Sequence, residues 1–222
     1  MAKNSKWQDE YWLLLMQLYL QKPTGIKPMY SKAMVDLSLE LHIAPQQLFN
    51  KMCQIANLET PRIEHIWEVY GQNPRKLKRA VNLLREMWGF NNALEFYEGV
   101  ETIESFEKEF KPIADDTTLT PMMLVLILDE YFRLTPITMV PETPEVVELA
   151  RLVKLKPVEV CEILNVFKCC DPYLRPHVAK QRSDADGHPL LKSCRQVWQR
   201  FGNSDTEELA SYASQLKEYF RS

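Results

Sequence analysis

The amino-acid sequence predicts an all-α protein made of two tandem copies of one helical module, and three observations support this prediction. Apolar residues recur at spacings of three and four, which is the periodicity of an amphipathic helix. Proline follows a capping residue at several segment starts, as at Thr120-Pro121, and proline favours the first position of a helix. The chain also matches itself at a constant shift of 112 residues.

The self-match covers most of both halves. Residues 12–61 align with residues 124–172 almost without a gap, so that Tyr19 pairs with Tyr131. Past an insertion in the second copy the match resumes, and Leu77 pairs with Leu209 at a shift of 132. Because the period is as long as a domain, it indicates a duplicated domain and not a solenoid. We expect a first repeat at 1–90, an acidic linker at 91–118 and a second repeat at 119–222.

Each copy is predicted to form roughly five helices. Those of the first copy are expected at 8–21, 31–42, 45–57, 62–70 and 74–87. Those of the second are expected at 121–133, 144–153, 157–168, 192–201 and 205–220. The linker has room for a short helix near 103–110, and the polar insertion at 173–191 is expected to be a surface loop.

Charge is distributed unevenly although the net charge is only −3. Residues 1–88 carry 12 basic and 8 acidic side chains, a balance of +4. Residues 89–120 carry 2 basic and 8 acidic side chains, a balance of −6. Residues 121–222 carry 13 basic and 14 acidic side chains, a balance of −1. The acidic chain as a whole is not typical of a nucleic-acid-binding protein, whereas the basic first copy leaves that function open.

Cysteine usage and hydropathy indicate a cytoplasmic protein without membrane contact. The chain has five cysteines, an odd number, and none forms a Cys-x-x-Cys pair, so reduced thiols are expected. The apolar run at 11–20 lacks the features of a signal peptide and is much shorter than the about 20 residues that span a membrane. We expect an amphipathic first helix there.

The second and third helices of each copy have the spacing of a helix-turn-helix. In the second copy, Ala150 is the small contact residue, Leu155 follows the turn, and an apolar rib continues on the next helix. Ser38 and Ile43 hold the corresponding places in the first copy. Two short helices that cross steeply require such a small residue and a tight turn. The turns lack glycine, and a helical hairpin without any DNA function fits the same pattern.

The second copy also resembles a known protein family. The motifs that carry the resemblance are Asp129-x-Tyr131-Phe132, Glu148-Leu149-Ala150, Pro157-x-x-Val160, Leu164-Asn165-x-Phe167, Asp171-Pro172 and Val197-Trp198-x-x-Phe201. Together they are similar to the N-terminal helical module that precedes the HNH nuclease domain in predicted bacterial restriction endonucleases. The resemblance implies a DNA-targeting role, with catalysis carried by another domain. This chain has no HNH motif, because its four histidines are scattered, so the nuclease activity is not carried over.

Two sets of residues in the first copy are candidate DNA contacts. Amides can pair with adenine in the major groove, and lysine can reach guanine or phosphate; the third helix offers Gln46, Gln47, Asn50, Lys51 and Gln54. Cations at the start of the fifth helix oppose the helix dipole, and a phosphate would compensate for this; they are Arg75, Lys76, Lys78 and Arg79. The alternative for the second set is a solvated helix face.

The corresponding positions of the second copy have different chemistry. They hold Val158, Glu159, Glu162, Ile163 and Val166. Carboxylates and aliphatic groups do not favour phosphate, so we expect Val158, Ile163 and Val166 to form a surface for a protein partner or for a second copy of the chain.

No pattern in the sequence predicts catalysis, a metal site or a cofactor. The sequence therefore favours a non-catalytic protein that binds double-stranded DNA through its first repeat, as a regulator or accessory of a restriction or mobile-element system. The alternative is a protein–protein interaction scaffold without nucleic-acid contact.

Overall fold

The computed structural model describes residues 7–87, 90, 106–114, 118–174 and 188–221. These residues form helices and connecting turns and contain no strand, which confirms the predicted all-α class. In the part of the chain thus described, no helix is both long and apolar enough to span a membrane. The contacts divide the chain into two compact units, and the second unit starts at Ser105.

The first unit contains five helices in its described part. They are α1 (Tyr11–Tyr19), α2 (Lys32–Leu41), α3 (Pro45–Ala56), α4 (Pro61–Tyr70) and α5 (Pro74–Glu86). Helix α1 packs against both α3 and α5, and α2 packs against α3. The core is continuous from Leu15 of α1 to Met52 of α3 and Val81 of α5, all of which are buried.

The second unit contains six helices in its described part. They are α6 (Glu107–Phe110), α7 (Pro121–Arg133), α8 (Pro144–Val153), α9 (Pro157–Cys170), α10 (Leu191–Phe201) and α11 (Thr206–Phe220). Helix α7 contacts each of the other five. Because it is surrounded in this way, α7 is apolar over most of its circumference, and even Asp129 and Glu130 are buried on it.

Helix starts follow the predicted signals. Six helices carry proline at or next to their first position, namely α3, α4, α5, α7, α8 and α9. The cap side chains of Thr60, Asn73 and Thr120 each accept a hydrogen bond from a backbone N–H in the first turn. Local sequence thus determines where these helices begin.

The two helix pairs predicted as helix-turn-helix units, α2–α3 and α8–α9, have the same turn geometry. His42 (φ 53°, ψ 35°) and Lys154 (φ 58°, ψ 36°) both adopt the left-handed conformation although neither is glycine. The N–H of Ile43 donates to the carbonyl of Ser38 at 3.1 Å, and that of Leu155 donates to the carbonyl of Ala150 at 2.9 Å. These bonds close the turns as in a Schellman motif.

The predicted boundary between linker and second repeat differs from the structure. Helix α6 lies in the segment predicted as linker, yet it packs against α7 and belongs to the second unit. Phe110 of α6 contacts Tyr219 of α11 with ring centroids 5.4 Å apart, an aromatic contact that the acidic composition of the segment obscured. Most of the expected linker and residues 175–187 of the expected insertion lie outside the described residues.

Candidate nucleic-acid interface

The first turns of α3 present a row of amide side chains. Gln46, Gln47 and Asn50 are exposed, and they are the second, third and sixth residues of the helix. The side-chain amide of Gln46 donates to Oδ1 of Asn50 at 3.1 Å, so these two amides are held side by side. The opposite face of α3 is buried through Leu48, Met52 and Ile55. Burial of one face therefore directs the amides outward.

The structure places Lys51 and Gln54 away from this row. The ammonium of Lys51 lies 5.3 Å from the ring centroid of Trp7 and 5.0 Å from that of Trp12. This cation–π contact holds the half-buried Lys51 against the N-terminal part of the unit. Gln54 is also half-buried. The exposed face predicted for α3 is thus narrower than expected, because residues around the start of α1 cover one side of it.

Helix α5 presents its cations on one face. Leu83 and Glu86 complete the lining of a shallow depression of about 380 Å³, which is otherwise formed by Arg75, Lys78, Arg79 and Asn82 at the spacing of a helix face. All four are exposed. Leu77, Val81 and Leu84 form the buried face of the same helix, so packing on α1 turns the cations towards solvent.

Two other cations of α5 have partners inside the unit. The ammonium of Lys76 lies 5.2 Å from the ring centroid of Tyr70, which sets it apart from the depression. Arg85 binds Glu40 of α2 through two hydrogen bonds of 2.6 and 2.8 Å. Among the predicted cations of this helix, Arg75, Lys78 and Arg79 therefore remain for an external anion.

The predicted partner surface of the second unit is wrong for two of its three residues. Val158 is 54% exposed, but Ile163 and Val166 are only 3% and 5% exposed. They are buried because α9 packs against α7, α8 and α10 and so keeps only a narrow face free. A surface reduced to Val158 is too small to define a docking site.

At the positions that the alignment pairs with Gln46, Gln47 and Asn50, helix α9 of the second unit carries no amide. Glu159, which the alignment pairs with Gln47, accepts a hydrogen bond of 2.7 Å from the N–H of Lys156 and so caps its own helix. Glu162, paired with Asn50, is an exposed carboxylate. A phosphate would be repelled from this face of α9.

The sequence reasoning missed a groove in the second unit. A cavity of about 720 Å³ lies along α8 and includes residues of α7 and α11. Its one sequence signal is Glu130, a carboxylate at the position that the alignment pairs with the apolar Leu18.

The described residues contain no metal-binding cluster, and burial keeps two of the five thiols protonated. These residues contain no group of three or more His, Cys, Asp or Glu side chains that could hold a metal ion. Burial raises the pKa of the Cys170 thiol to about 11 and also raises the pKa of the Cys194 thiol. These two thiols remain protonated at neutral pH and are poor nucleophiles.

Comparison with known proteins gives no relative from which a function could be inferred. No family model, no curated protein and no solved structure matches this chain. The resemblance to the restriction-endonuclease module therefore stays a prediction.

Proposed function

We propose that the protein binds double-stranded DNA without catalysing a reaction on it, and that the first unit makes the contact. The observation that carries this proposal is the exposed amide row of Gln46, Gln47 and Asn50 at the start of α3, directly after a helix-turn-helix turn. In helix-turn-helix proteins the N-terminal residues of the second helix contact the base edges in the major groove.

The amide row suits adenine recognition. The side-chain amide of glutamine or asparagine can donate to N7 of adenine and accept from its N6 amino group in a bidentate contact. The 3.1 Å contact between Gln46 and Asn50 aligns two of these groups before DNA arrives, so less side-chain freedom is lost on binding.

The cations of α5 supply the phosphate contacts in this proposal. Arg75, Lys78 and Arg79 are exposed and share one depression. Contacts between such cations and phosphates release counterions and provide most of the affinity that does not depend on sequence. Helix α1 packs against both α3 and α5, which fixes the two sets of residues on one rigid support.

We further propose that the two units are diverged copies of one module. Support comes from the left-handed residues His42 and Lys154, which the alignment pairs with each other. It also comes from Gly71 and Gly202, where an added Cβ would lie 2.7 Å from the carbonyl oxygen of Trp67 or Trp198 respectively. The surfaces differ, so DNA binding is assigned to the first unit alone.

The wider role follows from the proposed binding and from the resemblance. A non-catalytic DNA-binding protein similar to a restriction-endonuclease targeting module would act as a regulator or accessory in the cytoplasm, where its five cysteines would stay reduced. The scaffold alternative loses its main support, because Ile163 and Val166 are buried.

Selection of duplexes from a random-sequence library by the intact protein tests the base contacts. The protein should enrich a short site, and replacing Gln46, Gln47 and Asn50 together by alanine should abolish enrichment while leaving low-salt affinity for bulk DNA within about threefold, because phosphate contacts remain. The control is Glu162→Ala in the second unit, which should enrich the same site as the wild type. Failure of the intact protein to bind duplex DNA at low salt would overturn the proposal.

A further inference from the structure

The groove of the second unit runs along one face of α8. Helices α7 and α11 both contribute residues near their C-termini. The lining combines apolar groups with charged ones, and the apolar groups are Leu134, Leu149, Leu152 and Phe220. Its volume of about 720 Å³ lies in the range of small-molecule sites.

Glu130 lies in this groove and is 7% exposed. Within the residues that the structure describes, its side chain takes part in no hydrogen bond or ion pair. Burial raises the pKa of this carboxyl group, Arg133 and Lys217 oppose the shift, and Asp129 and Glu145 add to it. A buried carboxylate without a bonding partner costs free energy that a cationic ligand would offset.

The residues of the groove differ from the residues that the alignment pairs with them in the first unit. The alignment pairs Glu130 with Leu18, a buried leucine of α1. It pairs Leu152 and Lys217 with Glu40 and Arg85, whose ion pair joins α2 to α5 in the first unit. The second unit thus has a buried charge where the first has a leucine, and an open groove where the first has a bridge between two helices.

The charges of the groove fit a ligand that carries both signs. Arg133 is already bound to Asp129 at 2.9 Å, and Arg221 to Glu218 at 2.7 Å. The groove is also lined by four exposed charged residues, Glu145, Glu148, Arg151 and Lys154. Lys217 lies near enough to Glu130 to affect its pKa, yet no ion pair joins the two in the described part of the chain. A carboxylate and an ammonium that face one groove without bonding to each other can each bind the opposite charge of a zwitterion.

We propose that this groove binds a free α-amino acid with an apolar side chain. The ligand ammonium binds Glu130, and the ligand carboxylate binds Lys217. The apolar side chain lies against Leu149, Leu152 and Phe220, where its burial contributes to affinity. This binding is independent of the proposed DNA contact, which belongs to the other unit.

Titration calorimetry of the intact protein with L-leucine and with L-phenylalanine tests the proposal. At least one of the two should bind, whereas N-acetyl-L-leucine, which lacks the ammonium, should bind at least about tenfold more weakly than L-leucine. L-Leucinamide, which lacks the carboxylate, should also bind at least about tenfold more weakly. Absence of binding by both amino acids, or equal binding of the blocked compounds, would overturn the proposal.

Two substitutions localise the site. Glu130→Leu restores the residue of the first unit and should abolish binding without loss of folding, which circular dichroism can verify. Lys217→Gln should weaken the binding of L-leucine at least about tenfold. It should leave the binding of L-leucinamide unchanged, because L-leucinamide has no carboxylate that Lys217 could bind. The exposed Glu162→Gln serves as the control that retains wild-type binding. L-Leucine binding that survives Glu130→Leu would place the ligand elsewhere and refute the assignment.

Discussion

Neutralising the cationic face of α5 should change how DNA affinity depends on salt. Arg75, Lys78 and Arg79 are exposed and line one depression. Each phosphate contact adds about −0.9 to the slope of log affinity against log salt, so replacing these three residues by glutamine should make the slope less steep by about 2.7. Between roughly 50 and 200 mM salt, the ratio of the DNA affinity of the wild type to that of the triple variant should therefore change by about 40-fold.

Fluorescence anisotropy with a labelled 20-base-pair duplex, of roughly two helical turns, measures both affinities across this salt range. The matched control is Arg85→Gln on the same helix. Arg85 is bound to Glu40 at 2.6 and 2.8 Å, so its loss should leave the slope unchanged. An unchanged slope in the triple variant, or an equal change in the Arg85 variant, would refute the proposed phosphate contacts.

Three further predictions concern the stability of the second unit, each measured by urea unfolding. Lys154→Gly should raise the free energy of unfolding by about 0.5–1 kcal/mol, because glycine adopts the left-handed conformation at φ 58° without strain. Lys154→Ala should not raise it, because alanine is strained there. Ile163→Ala should cost about 2–5 kcal/mol whereas Val158→Ala should cost less than about 0.5 kcal/mol, because only Ile163 is buried. The raised pKa of Glu130 makes the native state lose stability as pH rises from the unfolded-state value through the raised folded-state value. Glu130→Gln should therefore lose less stability than the wild type as pH rises from about 4 to about 7.

The helices were predictable from sequence because their signals are local. Proline at the start of α3 and of α9, and the apolar periodicity of α1 and α7, depend only on neighbouring residues. Predicted and observed bounds agree within a few residues for the ten helices that were predicted outside the linker, and α9 extends two residues beyond its predicted end, to Cys170.

The functional surfaces were less predictable because they depend on contacts between distant parts of the chain. A helical projection places Lys51 beside Asn50 on an exposed face, but it does not contain Trp7, whose ring lies against the ammonium. Similarly, the projection of α9 does not show that α10 packs on it. It therefore does not reveal that Ile163 of α9 is buried. The periodicity of a single helix cannot show what its neighbours cover.

The groove could have been suspected from one mismatch in the self-alignment. Glu130 replaces Leu18 at a position where apolar periodicity predicts a buried side chain. The sequence alone does not distinguish a buried carboxylate from a local shift of the helix face. The structure resolves this, because Glu130 is 7% exposed and lines the groove.

Hydrogen exchange of the intact protein, measured by mass spectrometry with and without duplex DNA, tests the central proposal most directly. We expect DNA to slow exchange in α3 and in α5 and to leave α9 and α11 of the second unit unchanged. The result that would contradict the account is slowed exchange in α9 or α11 with none in α3 and α5, because the amides and the free cations would then not be where DNA binds.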